Sequence, residues 1–121
     1  MISREKALLI AGDWIDSWNR HDLDSIMSHY SDDVELVSPI AIKLLGRESG
    51  TVIGKDSLRS YFQKGLDAYP DLRFEIIEVF TGVNSFVLYY KRQNGPLGAE
   101  LMELNGGDKI RKVVAHYYHG D

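Results

Sequence analysis

The sequence predicts a single α+β domain, with its helices in the first half and most of its sheet in the second. Three observations carry this expectation. As far as residue 69, apolar residues recur mainly at steps of three and four, the spacing of one helix face. From residue 72 onward apolar and polar residues alternate in short runs, the spacing of a half-buried strand. The turn sequences Gln93-Asn94-Gly95-Pro96 and Asn105-Gly106-Gly107-Asp108 separate the later runs, and strands joined by turns this short are antiparallel.

In chain order, residues 5 to 19 place Leu8, Ala11, Trp14, Ile15 and Trp18 on one helical face. Asn19, Arg20 and His21 break that stripe. Asp22 is a good N-cap for a short second helix with Leu23, Ile26, Met27 and Tyr30 inward. Val34, Leu36 and Ser38 then alternate with Glu35 and Val37, as a strand requires. Residues 39 to 53 are the least regular part, an apolar run before a Gly-rich turn, and are expected to form a flap over a pocket mouth. Gly54 and Asp56 open a third helix with Leu58, Tyr61, Phe62, Gly65, Leu66 and Tyr69 on its face. Tyr69-Pro70 stops it, because the residue before proline avoids the helical region. Four strands are expected to follow, at residues 72–81, 85–92, 99–104 and 109–119.

Composition narrows the function classes. The 121 residues fit one domain, 1–121, and suffice to bury a core. The net charge of −4, without a basic run, argues against nucleic acid and anionic membrane as partners. The absence of cysteine removes disulfides, thiolate catalysis and Cys-ligated metals. No stretch has the length or apolarity of a membrane span, and the N-terminus does not read as a signal peptide, so a cytoplasmic location is expected. His116 and His119 differ by three on a strand, and no HExxH pattern occurs, so neither a metal nor another cofactor is called for. Residues 50 to 57, GTVIGKDS, miss the phosphate-loop spacing by one residue between the glycines, and Asp56 follows Lys55.

The stretches WIDSWNRHDLDSIMSHYSDDVELVSP and GKDSLRSYFQKGL, with a closing meander that ends KVVAHYY, resemble the nuclear-transport-factor-2-like superfamily. Within it the chain is most similar to the SnoaL-like and ketosteroid-isomerase-like proteins. The resemblance implies a cone-shaped domain with a pocket between three helices and a curved, mostly antiparallel sheet. It also implies a homodimer joined through the sheet face away from the pocket. Ketosteroid isomerases use an Asp base at the end of the first strand, and a helix Tyr and a late-strand carboxylic acid as oxyanion donors. The corresponding positions here hold Ser38, Trp14 and Glu100. Ser38 cannot serve as a carboxylate base, and an indole donates without transferring a proton. Steroid isomerisation by that mechanism is therefore not expected.

Glu100 is the remaining candidate for chemistry. Alternation in GAELMEL places it on one face with Met102 and Leu104, which points it inward. A carboxyl in apolar surroundings has a raised pKa and can act as an acid or base near neutral pH. The alternative is that Glu100 pairs with a base such as Arg92 or faces an open, wet mouth. Trp14, Trp18, Tyr30, Ser38, Tyr61, Phe62, Leu66, Tyr89, Met102 and Tyr117 complete the candidate pocket lining. The aromatic residues among them can equally be core. Two readings stay open. One is a protein that binds a small, largely apolar molecule, with acid–base chemistry by Glu100 of isomerase, cyclase or hydrolase type. The other is a non-catalytic dimeric binding or interaction domain with a vestigial pocket.

Overall fold

The computed structural model describes residues 1–119. Helix α1 spans Arg4–Asn19 and is capped by Ser3, whose side chain accepts from the Lys6 N–H at 3.1 Å. Its buried face is Ala7, Ala11, Trp14, Ile15, Ser17 and Trp18, while Leu8 is exposed. Asp22 caps α2, Leu23–Met27, by accepting from the Ser25 N–H at 3.2 Å. Strand β1, Tyr30–Val37, begins four residues earlier than the alternation suggested, and Tyr30 is in it rather than on the helix.

Residues 39 to 53 are ordered as a fourth helix, α3, Pro39–Leu45, and a short strand, β2, Thr51–Ile53. The expectation of three helices is corrected to four among the described residues. Ser38 supplies the cap, its hydroxyl accepting from the Ile40 N–H at 3.1 Å, and Pro39 presets the first helical residue. Gly46, at φ 68°, ends the helix. Gly50 is at φ 64°, and an added Cβ there would lie 2.7 Å from the Ser38 carbonyl oxygen, so the return to β2 needs glycine twice over.

Helix α4 covers Lys55–Ala68. The sheet is completed by β3 (Glu75–Thr81), β4 (Ser85–Lys91), β5 (Leu97–Leu104) and β6 (Ile110–Tyr117). Its order is β2-β1-β6-β5-β4-β3 in one curved, unclosed layer. β1 and β6 run parallel, and every other neighbour pair is antiparallel. The helices pack on one face. From β5 the residues Gly98, Glu100, Met102 and Leu104 point into that interface, and from β4 the residues Phe86, Leu88 and Tyr90.

Residues 72–74, expected as the start of a strand, lie outside the sheet. They are tied to the end of α1 instead. The Asn19 amide donates to the Phe74 carbonyl at 2.9 Å and accepts from the Phe74 N–H at 2.7 Å. His21, left-handed at φ 54°, reaches the Leu72 carbonyl with Nε2 at 2.9 Å.

Candidate functional site

A cavity of about 70 Å³ opens where β1, β4 and β6 end and β5 begins. Trp14 and Trp18 come to it from α1, Tyr61, Phe62 and Gly65 from α4, and Leu36, Ser38 and Ile40 from β1 and the start of α3. Tyr90 and Arg92 come from β4 and just beyond it, Glu100 from β5, and Ala115 and Tyr117 from β6. Leu72 and Phe74 close one side, with Tyr69 and Gln93.

Of the residues expected to line a pocket, Trp14, Trp18, Ser38, Tyr61, Phe62, Glu100 and Tyr117 meet at this cavity. Four do not. Tyr30 is buried in the core, where its hydroxyl accepts from Trp14 Nε1 at 2.8 Å. Leu66 packs in the core one residue past Gly65, which takes the wall position. Met102 is fully buried further along β5. Tyr89 points to the outer face of the sheet, opposite Ala99, and its neighbour Tyr90 occupies the inner position. Parity with Phe86 and Leu88 is the sequence signal that selects Tyr90 over Tyr89. Gly98, directly opposite, is the second signal. An added Cβ there would meet the Tyr90 ring at 2.9 Å, so the ring lies over bare backbone.

Glu100 is 6% exposed. Tyr90 Oη donates to its Oε2 at 2.7 Å. Burial pushes the Glu100 carboxyl up to about 7, against the smaller opposing pulls of the Tyr90 hydrogen bond and of Arg92. Arg92 sits with its guanidinium 4.5 Å from the centre of the Tyr117 ring, rather than in an ion pair with Glu100. Burial likewise raises the phenol of Tyr61 to about 12 and that of Tyr117 beyond it, with the Glu100 charge adding to both and Ser38 opposing. These phenols therefore stay protonated and serve as hydrogen-bond donors. Trp14 has spent its N–H on Tyr30. Trp18 also lies close enough to the Tyr30 hydroxyl to lower its pKa, yet Trp18 Nε1 makes no hydrogen bond.

The arrangement can take a proton on Glu100 as carboxylate and return it as acid, at one pH near 7. The hydroxyls of Ser38, Tyr61 and Tyr117 can donate to an oxygen that gains charge. Among the described residues, no group of three or more His, Cys, Asp or Glu converges as a metal site. Within the same residues, no helix is long and apolar enough to cross a membrane.

A family model described as a SnoaL-like domain matches residues 11–100. A solved SnoaL-like protein of unknown function from Burkholderia thailandensis is 36% identical, covering 98% of this chain and 99% of that one, with a TM-score of 0.90. A Kribbella flavida protein described as a candidate ketosteroid isomerase is 16% identical, covering 97% of this chain and 81% of its own, with a TM-score of 0.76. TerC, co-crystallised with polyporic acid, is also 16% identical and has a TM-score of 0.76, with coverage of 93% and 91%. At that identity the last two speak for the fold alone. No curated protein matches the chain.

Proposed function

The chain belongs to the SnoaL-like family, and from that premise we propose that it binds a small, largely apolar molecule in the cavity and moves a proton on it with Glu100. The observation that carries this reading is a nearly buried carboxyl at a cavity wall whose hydrogen-bond partner is another uncharged proton donor, Tyr90. A purely structural carboxylate at that depth needs a cation in contact, because burying a charge is costly. Here Arg92, the cation whose charge acts on Glu100, is stacked on Tyr117 rather than paired with the carboxyl. The chemistry that fits is acid–base: Glu100 removes a proton beside a carbonyl or from a hydroxyl and delivers it elsewhere on the same molecule. The resulting oxyanion is held by Tyr61, Tyr117 and Ser38. Isomerisation and ring closure share that step.

The experiment is a thermal-shift screen of the purified protein against apolar molecules with one or two oxygens. A ligand at one hundred times its Kd adds about 2.7 kcal/mol of stability. Hits weakened by Glu100→Gln support the reading, and assays for proton exchange on those compounds follow. Hits indifferent to that change leave binding without the chemistry. Binding at this mouth would also slow hydrogen exchange in α3, whose Ile40 is part of the wall; unchanged exchange there would rule out a closing flap.

The small volume favours a second reading, a dimeric domain whose pocket is vestigial. In both readings two copies meet through the outer sheet face, where Val87, Leu101 and Val114 are half-buried. Sedimentation at micromolar concentration tests that contact, with Leu101→Arg expected to give monomers.

A further inference from the structure

We propose that the ligand of this cavity is no larger than one ring, carries a hydroxyl or carbonyl at its Glu100 end, and is held to that size by Phe74. This rests on the reading that the cavity binds a small molecule. An apolar cavity of about 150 Å³ accommodates benzene, and this one offers about 70 Å³. One ring therefore more than fills it, with its outer edge in the mouth, and the walls have no place for a fused second ring.

The walls do not yield. Trp14 stacks on Phe74 at 5.7 Å and 13°, and Phe74 lies 4.8 Å from the Tyr90 ring. Trp18 meets Phe62 edge-on at 4.8 Å, and Phe62 meets Tyr61 at 5.7 Å. Interiors packed in this way have no slack into which a ring can swing. Phe74 is an aromatic wall residue on the segment between α4 and β3, which also brings Tyr69 and Leu72 to the cavity. Asn19 fixes it by satisfying both backbone groups of Phe74 at once.

One ligand oxygen is matched by Glu100 with the hydroxyls of Tyr61, Tyr117 and Ser38. Trp18 offers no second polar contact, because its indole N–H is buried beside the Tyr30 hydroxyl in the core. The ligand class is thus a monocyclic hydroxy- or oxo-compound, not a polycyclic one.

The test is calorimetric titration of the full chain with 4-hydroxybenzaldehyde and with its two-ring counterpart, 6-hydroxy-2-naphthaldehyde. Wild type is expected to bind the two-ring probe at least about tenfold more weakly than the one-ring probe, the usual penalty for overfilling a packed site. Phe74→Ala is expected to reverse that order, and Phe74→Leu, the milder truncation, to move it in the same direction if the alanine variant does not fold. The size limit is overturned if wild type binds both probes equally, or if folded variants leave the preference unchanged. If neither probe binds any of these proteins, the binding reading falls and takes this inference with it.

Discussion

Along β5 the inward side chains run Glu100, Met102, Leu104, and between the first and the third the interior changes in kind. At the Leu104 end, Met102 is fully buried opposite Phe86 and Val113, with Val79, Ala7 and Ala11 buried nearby in the same core. At the Glu100 end the sheet face meets phenols, an amide, a guanidinium and a cavity. The two ends share one strand, one alternation and one depth of burial. What separates them is whether the helices fill the wedge. The first end closes on the alanines of α1, which let helix and sheet approach. The second is propped open by Trp14 and Trp18, one and two turns further along. A carboxyl is tolerated where the wedge stays open.

The most disruptive change is to move the carboxyl. Met102→Glu places it in the closed end with no partner, and we expect a loss of about 4 kcal/mol or more, read as failure to unfold cooperatively in urea. A well-folded Met102→Glu protein would show that the ends do not differ. Next in size is Glu100→Gln. The folded chain holds the Glu100 proton more tightly than the unfolded one, with a pKa of about 7 against an ordinary 4.5. Wild-type stability from this group is therefore complete below about pH 4.5 and is lost as pH rises through 7. Glu100→Gln should be more stable than wild type at pH 8 by about 3 kcal/mol and equal to it at pH 4. A difference independent of pH would mean that Glu100 is not buried as a proton carrier.

Smaller effects sharpen the boundary between the ends. Tyr30→Phe leaves the Trp14 indole without its acceptor and should cost about 1–2 kcal/mol in chemical denaturation. If it costs nothing, Trp14 Nε1 already finds another partner in the open end. Ser38→Ala removes the cap of α3 and should cost about 1 kcal/mol, with hydrogen exchange speeding up in residues 39–45 alone.

Much of this was legible in the sequence. Period-two spacing put Glu100 on the face of Met102 and Leu104, and helical spacing put Trp14 with Trp18 and Tyr61 with Phe62. Adjacent tyrosines in SFVLYYK leave both faces of β4 apolar, so Tyr89 reads as well as Tyr90 for the pocket until parity with Phe86 and Leu88, and the pairing with Gly98, select the latter. Helix α3 does not show in the sequence because seven residues cannot display a helical period. Its start was nevertheless written as Ser38-Pro39, a capping residue followed by the one residue preset for a first helical turn. The open volume was not legible, because it depends on how far Phe74 is drawn in by Asn19, fifty-five positions away.

The place of β6 in the sheet has a consequence for how the protein is made. It is the last strand among the described residues, yet it lies between β1 and β5 and runs parallel to β1. During synthesis β1 and β5 therefore emerge with unpaired edges facing each other, and nothing made before residue 110 can fill the gap. Such edges are templates for pairing with other nascent chains. Closing the gap joins Val37 to Val114, a contact whose loop entropy makes the step slow. Folding is thus expected to wait for translation of β6, and ribosome-bound chains that stop short of it are the ones most exposed to aggregation and most in need of a chaperone.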